Sequence, residues 1–121
     1  MRNLEECRPG ADVRLAPQPE PFSIEVRPAR QRVIVVPHGE LDMATVGQLA
    51  AEIDDLVGRG FAAVVLDLRA TSFMDSTGVH LLVKQAARTD ARVTVIDGSD
   101  PVRRVIDLAG VRDLLSFEPA A

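Results

Sequence analysis

The sequence predicts an α/β domain in which a mixed sheet of four to five strands carries three to four helices, packed mainly on one face. Short runs rich in valine and isoleucine alternate along the chain with segments whose apolar residues recur at helical spacing. The connections are short, and one strand–helix–strand unit follows another, which favours right-handed crossovers and parallel strands. The composition, 46% hydrophobic and 26% charged, is that of a globular protein.

The first 21 residues are predicted to form a flexible, proline-rich tail. Pro9, Pro17, Pro19 and Pro21 lie among charged residues and only scattered apolar ones. Proline disrupts helices, and a stretch with so few apolar residues cannot bury enough surface to fold. We therefore expect the folded domain to span residues 22–121.

The domain is expected to open with a β-hairpin. Apolar and polar residues alternate over residues 22–27, which is the period of a half-buried strand. After a turn at 28–30, the β-branched run at 33–36 is typical of a strand covered on both faces. Pro37-His38-Gly39 is predicted to end this second strand.

A helix, a strand and a second helix are predicted next. The first helix is expected to begin with a capping box formed by Thr45 and Gln48, or with Asp42 as N-cap, and to stop at residues 58–60. A buried strand follows over residues 62–68. The next predicted element is a second helix. Its apolar residues recur at helical spacing, namely Val79, Leu82, Val83, Ala86 and Ala87.

The chain is predicted to end with a strand and a helix. Residues 93–96 form the strand, and Asp100-Pro101 is typical of a helix start with Asp100 as N-cap and proline at the first helical position. Gly110 is expected to end this helix. Phe117 is assigned to a final edge strand or to a tail.

Residues that carry chemistry are scarce, which excludes several classes of protein. The chain has one cysteine (Cys7) and two histidines (His38 and His80), so a zinc cluster and a disulfide framework are excluded. We expect no metal and no cofactor. A lone cysteine also suggests a reducing compartment.

Charge and hydropathy exclude two kinds of partner. The formal net charge of −4 argues against direct binding of nucleic acid, and the chain has no Trp or Tyr on which bases could stack. No apolar run approaches the roughly 18 residues of a membrane span. The sequence therefore predicts a cytoplasmic protein without a membrane partner.

Two predicted loops are candidates for the functional site, because sites in such sheets gather at the carboxyl ends of strands. The first loop spans residues 38–42. The second spans residues 71–78 and combines an aromatic residue, a methionine, an acid, two adjacent hydroxyls and a glycine. Ser76 is expected to lie at or near the N-cap of the following helix.

Two interpretations of Ser76 stay open at this point. Ser76 could simply cap the helix, which contributes about 1 kcal/mol. Alternatively it is a phosphoacceptor, because a helix N-terminus with unsatisfied amides tolerates an added phosphate. Phosphorylation adds roughly −1.5 to −2 charges, and Asp75 and Asp42 would make the modified surface strongly negative.

The two loops together resemble the STAS domain of bacterial anti-sigma factor antagonists. The resemblance covers about residues 22–117 and rests on Gly39-Glu40-Leu41-Asp42 and on Leu66-Asp67-Leu68 followed by Phe73-Met74-Asp75-Ser76-Thr77-Gly78. It implies a protein that is not an enzyme. Such a protein binds an anti-sigma factor, itself a serine kinase, and so frees a sigma factor for transcription. The kinase switches the antagonist off by phosphorylating it, and a serine phosphatase restores it.

The resemblance also implies roles for particular residues. Ser76 corresponds to the phosphorylated serine, and Thr77 is an alternative acceptor. His80 stands where the family often has a small residue. The residues that the resemblance and their position assign to partner binding are Asp42, Met74, Asp75, Thr77 and Gly78. Of Phe73 and Met74, at least one is expected to belong to the core.

Three alternatives to the phosphorylated antagonist remain. Ser76 and His80 lie four residues apart on a helix and could form part of a hydrolase, although Met74 stands where a nucleophile elbow has glycine. A receiver domain would use Asp67 as phosphoacceptor, but Lys84 lies in mid-helix and no acidic pair follows the strand at 33–36. Asp67 is instead expected to be a strand-end residue bonded to loop amides. The third is a STAS domain that serves as an unphosphorylated scaffold or a transport-system subunit.

Overall fold

The computed structural model describes residues 21–120, and the predicted tail lies outside the described residues except for Pro21. The predicted α/β class is confirmed, with a five-stranded mixed sheet and three helices. The strands are β1 (Ser23–Pro28), β2 (Arg32–Leu41), β3 (Ala63–Asp67), β4 (Thr71–Met74) and β5 (Arg92–Ile96), and the helices are α1 (Val46–Gly58), α2 (Ser76–Ala86) and α3 (Asp100–Ala109).

The sheet has the predicted mixture of strand directions. β1 and β2 form an antiparallel hairpin in which Ser23 lies opposite His38. β2, β3 and β5 are parallel neighbours, so the strand order is β1-β2-β3-β5. Phe117 makes a single parallel bridge to Val95 and no longer strand. The parallel arrangement brings the carboxyl ends of β2 and β3 to the same edge of the sheet.

β2 continues past Pro37, so the prediction that Pro37-His38-Gly39 ends the strand is wrong. Along one side, β2 pairs with β3 up to Val35 and then with β4 from Gly39 onwards. Pro37 falls between these two ladders, where no neighbouring strand on that side requires its missing N–H. A proline that ordinarily stops a strand is therefore tolerated inside this one.

β4 was predicted to be part of a loop, and this prediction is also wrong. Its four residues pair in parallel with the second half of β2, Leu41 opposite Met74, after a register shift between Gly39 and Glu40. A short 3₁₀ turn at Leu68–Ala70 connects β3 to β4. The buried hydroxyl of Thr71 donates a 2.9 Å hydrogen bond to the carbonyl oxygen of Pro37, which fixes the register of this ladder.

The start of α1 differs from the predicted one in its capping bonds. Thr45 is the N-cap residue of α1 as predicted, but its hydroxyl donates to the carbonyl of Glu40 (2.8 Å) and accepts from the amide of Asp42 (2.9 Å) and makes no capping bond to the helix. The capping box with Gln48 is therefore wrong, and Asp42 is not the N-cap either. Thr45 instead closes the turn between β2 and α1.

α3 ends as predicted but begins one residue earlier than expected. Gly110, with φ 70°, ends α3 in the left-handed conformation as predicted. The N-cap of α3 is Ser99 and not Asp100, so Asp100 is the first helical residue. Pro101 is therefore the second helical residue, where the sequence predicted it to be the first. Ser99 is the N-cap because its backbone has the extended conformation that this position requires.

The core joins the sheet to the buried faces of all three helices in one cluster. Leu41 and Met74 are fully buried at the carboxyl edge, directly beneath the two candidate loops. Gly78 in the first turn of α2 is also buried. A Cβ atom at Gly78 would lie 2.6 Å from Cγ of Met74 and 3.0 Å from the carbonyl oxygen of Leu41. The absence of a side chain at Gly78 thus allows α2 to pack closely on β2.

We expect Gly78→Ala to lower the free energy of unfolding by about 1–3 kcal/mol, because the added methyl group must displace core atoms. Gly47→Ala in α1 is the matched control, since a Cβ there has nothing within 4 Å. The control is expected to leave stability unchanged or to raise it by up to about 1 kcal/mol. Urea unfolding followed by circular dichroism measures both values. Equal stabilities for the two variants would contradict the proposed packing.

Candidate functional site

The two candidate loops lie side by side at the carboxyl edge of the sheet. The pairing of β2 with β4 brings Asp75, the residue after β4, beside the end of β2. The amide of Asp75 donates a 3.3 Å hydrogen bond to the carbonyl of Leu41. The amide of Met43 is close enough to the carboxylate of Asp75 to contribute to lowering the pKa of that carboxyl. The Asp42 loop and the turn that carries Ser76 therefore form one surface, which we call the turn surface and define as residues 40–43 and 73–77.

Asp75, not Ser76, caps α2. One carboxylate oxygen of Asp75 accepts from the amides of Thr77 (2.9 Å) and Gly78 (3.2 Å), and also from the hydroxyl of Thr77. Ser76 is the first residue of the helix. The interpretation of Ser76 as a helix cap is therefore wrong, because the preceding aspartate already satisfies the amides that a cap would serve.

The hydroxyls of Ser76 and Thr77 have different environments. Ser76 is exposed, and its hydroxyl makes no hydrogen bond to any residue between 21 and 120. Thr77 is half-buried, and its hydroxyl donates to Asp75. A reagent approaching from solvent thus meets the Ser76 hydroxyl first, whereas reaction at Thr77 would break the cap of the helix.

The charge of the turn surface is negative. The hydroxyl of Thr77 is the largest cause that lowers the pKa of Asp75, and the amides of Gly78, Thr77 and Met43 lower this pKa further. Asp75 is therefore ionised at neutral pH. Asp42 is half-buried and accepts from the amide of Ala44 (2.9 Å), and Glu40 is exposed at the end of β2.

The predicted partner contacts divide into accessible and inaccessible side chains. Asp42, Asp75 and Thr77 reach the surface at least in part. Met74 is fully buried, so the expectation that its side chain contacts a partner is wrong for this fold. The close backbone approach expected at Gly78 exists, but its partner is Leu41 of the same chain. Met74 and Gly78 are therefore buried residues that pack beneath the exposed side chains of the turn surface.

Two exposed apolar side chains belong to this surface instead. Phe73 is 46% exposed, which resolves the choice between Phe73 and Met74 in favour of Met74 as the core residue. Met43 is 79% exposed and was missed by sequence reasoning. The sequence does contain an indication of it, because Met43 precedes α1 and lies off the apolar stripe of that helix. Large exposed apolar side chains near a polar loop are typical of interaction sites.

The other chemistry considered from the sequence has little support in the described residues. His80 is exposed, and no carboxylate of the described residues forms a hydrogen bond or ion pair with it that would orient it for a hydrolase. Asp67 is buried and bonded to the amide of Arg69 (3.1 Å) and to its guanidinium (2.9 and 2.7 Å), which lowers the pKa of Asp67. Asp67 is thus the amide-bonded strand-end residue that the sequence predicts. Between residues 21 and 120, no three His, Cys, Asp or Glu side chains are grouped to hold a metal ion.

The fold and the turn surface define a small α/β domain that presents an exposed serine hydroxyl beside an ionised carboxylate. No helix in the described part of the chain is long and apolar enough to cross a membrane. Residues 23–120 match the family model of the STAS domain. The chain therefore belongs to the STAS domain family, as the resemblance of its two loops predicts.

Several proteins that this chain resembles are named anti-sigma factor antagonists. The anti-sigma-B factor antagonist of Staphylococcus aureus is 31% identical over 80 residues, which make up 64% of this chain and 74% of that protein. The crystal structure of an anti-sigma factor antagonist from Mycobacterium paratuberculosis has a TM-score of 0.72 at 25% identity, covering 83% of this chain and 87% of that one. The unphosphorylated form of the antagonist SpoIIAA has a TM-score of 0.64 at 26% identity, with coverages of 81% and 88%. A phosphorylated form of SpoIIAA from Bacillus has a TM-score of 0.56 at 25% identity, with coverages of 81% and 91%.

We expect the capping role of Asp75 to produce a pH-dependent stability difference. Because the pKa of Asp75 is lowered in the fold, its ionised form stabilises the fold above the ordinary aspartate pKa of about 3.9. This stabilisation is lost as the pH falls through the lowered pKa. Asp75→Ala should therefore cost about 1 kcal/mol at neutral pH. The cost should shrink in strongly acidic solution, where the unsubstituted carboxyl is protonated.

Urea unfolding of both proteins from about pH 7 down to about pH 2, through the range below the ordinary aspartate pKa, checks this dependence. Asp113→Ala is a suitable control, because Asp113 is exposed and makes no side-chain hydrogen bond within the described residues. The control should change the free energy of unfolding by no more than about 0.5 kcal/mol. A cost for Asp75→Ala that is independent of pH would show that its charge has no part in capping.

Proposed function

We propose that this protein is an anti-sigma factor antagonist that is regulated by phosphorylation at Ser76. In this proposal it binds an anti-sigma factor serine kinase and thereby releases a sigma factor. Phosphorylation by the kinase ends the binding, and a serine phosphatase restores it. The observation that carries the proposal is the exposed, unbonded hydroxyl of Ser76 beside the ionised Asp75, in a chain whose relatives are anti-sigma factor antagonists.

The choice of Ser76 over Thr77 rests on what phosphorylation would cost. Ser76 can accept a phosphoryl group without losing a hydrogen bond to the described residues. Phosphorylation of Thr77 would remove a bond to Asp75 and place a phosphate against the carboxylate that caps α2. Like charges at hydrogen-bond distance repel each other strongly. SpoIIAA, to which this chain is similar, has structures in both unphosphorylated and phosphorylated forms.

Phosphorylation at Ser76 would act on binding and leave the fold almost unchanged. The modified side chain lies outside the core, whereas the residues beneath it, Met74 and Gly78, are buried. The phosphate would add roughly −1.5 to −2 charges to a surface that already carries Asp75, Asp42 and Glu40. A partner surface that complements these carboxylates has little capacity to accept the extra charge and volume.

The proposed binding surface combines carboxylates with apolar side chains. Asp42 and Asp75 would meet cationic groups of the kinase, and Met43 and Phe73 would enter apolar contacts. The protein is a substrate in this scheme and does not catalyse a reaction. It acts in the cytoplasm, where bacterial transcription takes place, and it needs no cofactor and no direct contact with nucleic acid.

We expect incubation with the cognate anti-sigma kinase and ATP to add one phosphoryl group, which mass spectrometry of peptides localises to Ser76. Thr77→Val should still be modified, because the exposed hydroxyl is retained. Ser76→Ala should remain unmodified. Modification of Thr77 in the unsubstituted protein would contradict the assignment. Stable binding of the kinase without any modification would instead indicate an unphosphorylated scaffold.

We also expect Ser76→Asp to lose its affinity for the kinase while keeping the melting temperature of the unsubstituted protein. Ser76→Ala should bind and resist inactivation by ATP. Pull-down with the three proteins, followed by identification of the retained kinase, checks the binding, and thermal denaturation checks the fold. Phe73→Ala should weaken capture at an unchanged melting temperature. Equal capture of the kinase by Ser76→Asp and Ser76→Ala would show that charge at Ser76 is not the switch.

A further inference from the structure

Asp75 occupies the position at the start of α2 that a phosphate on Ser76 would otherwise take. The first amides of a helix are a common binding site for anions, because they point outward and carry the positive end of the helix dipole. In α2 the amides of Thr77 and Gly78 are already bonded to one oxygen of Asp75, at 2.9 and 3.2 Å. A phosphate on Ser76 would have to compete with this carboxylate for the same two donors.

The backbone and side chain of Asp75 are both held in place. The amide of Asp75 donates to the carbonyl of Leu41 (3.3 Å), and its own carbonyl accepts from the amide of Val79 (3.2 Å). The carboxylate also accepts from the hydroxyl of Thr77. Moving the carboxylate away from α2 would break its bonds to this hydroxyl and to the amides of Thr77 and Gly78 together, whereas the phosphate on Ser76 has open solvent available.

We propose that Asp75 is a positioning residue that keeps the phosphate of Ser76 away from the helix amides and displayed to the binding partner. This inference rests on the proposed phosphorylation of Ser76. With Asp75 in place, the phosphate lies on the turn surface beside a second negative charge, and its oxygens face solvent and the partner. Without Asp75, the phosphate would fold back onto the amides of Thr77 and Gly78 and replace the missing cap. Its charge would then be offset by hydrogen bonds within the protein.

Asp75→Asn and Asp75→Ala separate the two contributions of the carboxylate. Asparagine retains an oxygen that can cap the helix but removes the charge next to the phosphate. Alanine removes both the charge and the acceptor, so the amides of Thr77 and Gly78 become available. We expect Ser76, which is exposed in the unsubstituted protein, to stay exposed in both variants. The order of the phosphate dissociation constants in the parent protein and the two variants therefore shows what controls the ionisation of the phosphate: the charge of Asp75, its occupancy of the helix amides, or both.

The test uses proteins in which phosphoserine is incorporated at position 76 during translation, so no kinase is needed. A ³¹P NMR titration measures the second ionisation of the phosphate, and ¹H–¹⁵N spectra follow the amides of Thr77 and Gly78. Compared with the parent protein, Asp75→Asn should raise the acid dissociation constant about threefold by removing a neighbouring charge. Asp75→Ala should raise it about two- to fivefold more, because the helix amides then favour the dianion. Only in Asp75→Ala should the two amide protons shift downfield as the phosphate ionises.

Other charged groups near the phosphate have to be held constant. Glu40 and Asp42 come from the adjoining loop and are present in all three proteins. His80 lies one turn further along α2, and an imidazole side chain can gain a positive charge, so each protein is also measured with His80→Gln. The order of the dissociation constants should be the same in both backgrounds.

Two results would overturn the inference. The first is a shift of the Thr77 and Gly78 amides with phosphate ionisation in the parent protein, because the phosphate would then displace Asp75. The second is an equal dissociation constant in the parent protein and Asp75→Asn, or in Asp75→Asn and Asp75→Ala. If Asp75→Ala does not fold, the parent protein and Asp75→Asn still decide the question. A kinase that fails to modify Ser76 would disprove the proposed function without affecting these measurements.

Discussion

The arrangement of the turn surface depends on the short parallel ladder between the second half of β2 and β4. The buried bond from the hydroxyl of Thr71 to the carbonyl of Pro37 sets its register, and Leu41 then lies opposite Met74. Only with this register does the amide of Asp75 reach the carbonyl of Leu41. The same register places the amide of Met43 at the Asp75 carboxylate. A slip by one residue would turn Met74 out of the core and separate the two loops.

Most of the fold could be predicted from periodicity, because the hairpin and the helices bury regular faces. β4 could not, since Thr71 and Met74 are buried and the two residues between them are exposed, which lacks the alternation of a strand. Proline posed a similar difficulty. Whether Pro37 ends a strand or continues it depends on which neighbours lie beside it, and these neighbours are remote in sequence.

The residues of the candidate site were predictable as a group, but their individual bonds were not. Asp75 and Ser76 are both good N-cap residues, and the choice between them is made by the backbone that leaves β4. Adjacent residues such as Phe73 and Met74 are both apolar, so only the direction of each side chain decides which one is buried. Met43 is apolar but exposed. It does not belong to a run of apolar residues at strand or helix spacing, so the sequence pattern gives it no buried position.

The close packing of Gly78 against Leu41 has a consequence for the way a modifying enzyme recognises this protein. The serine is presented on the first turn of a helix whose position depends on a strand far away in the sequence. A linear peptide with the same letters would lack the Leu41 carbonyl, the Met43 amide and the fixed direction of α2. In the proposed scheme, an enzyme that contacts these groups acts on a folded surface, so that unfolded copies of the chain would be poor substrates and the switch would operate on molecules able to bind.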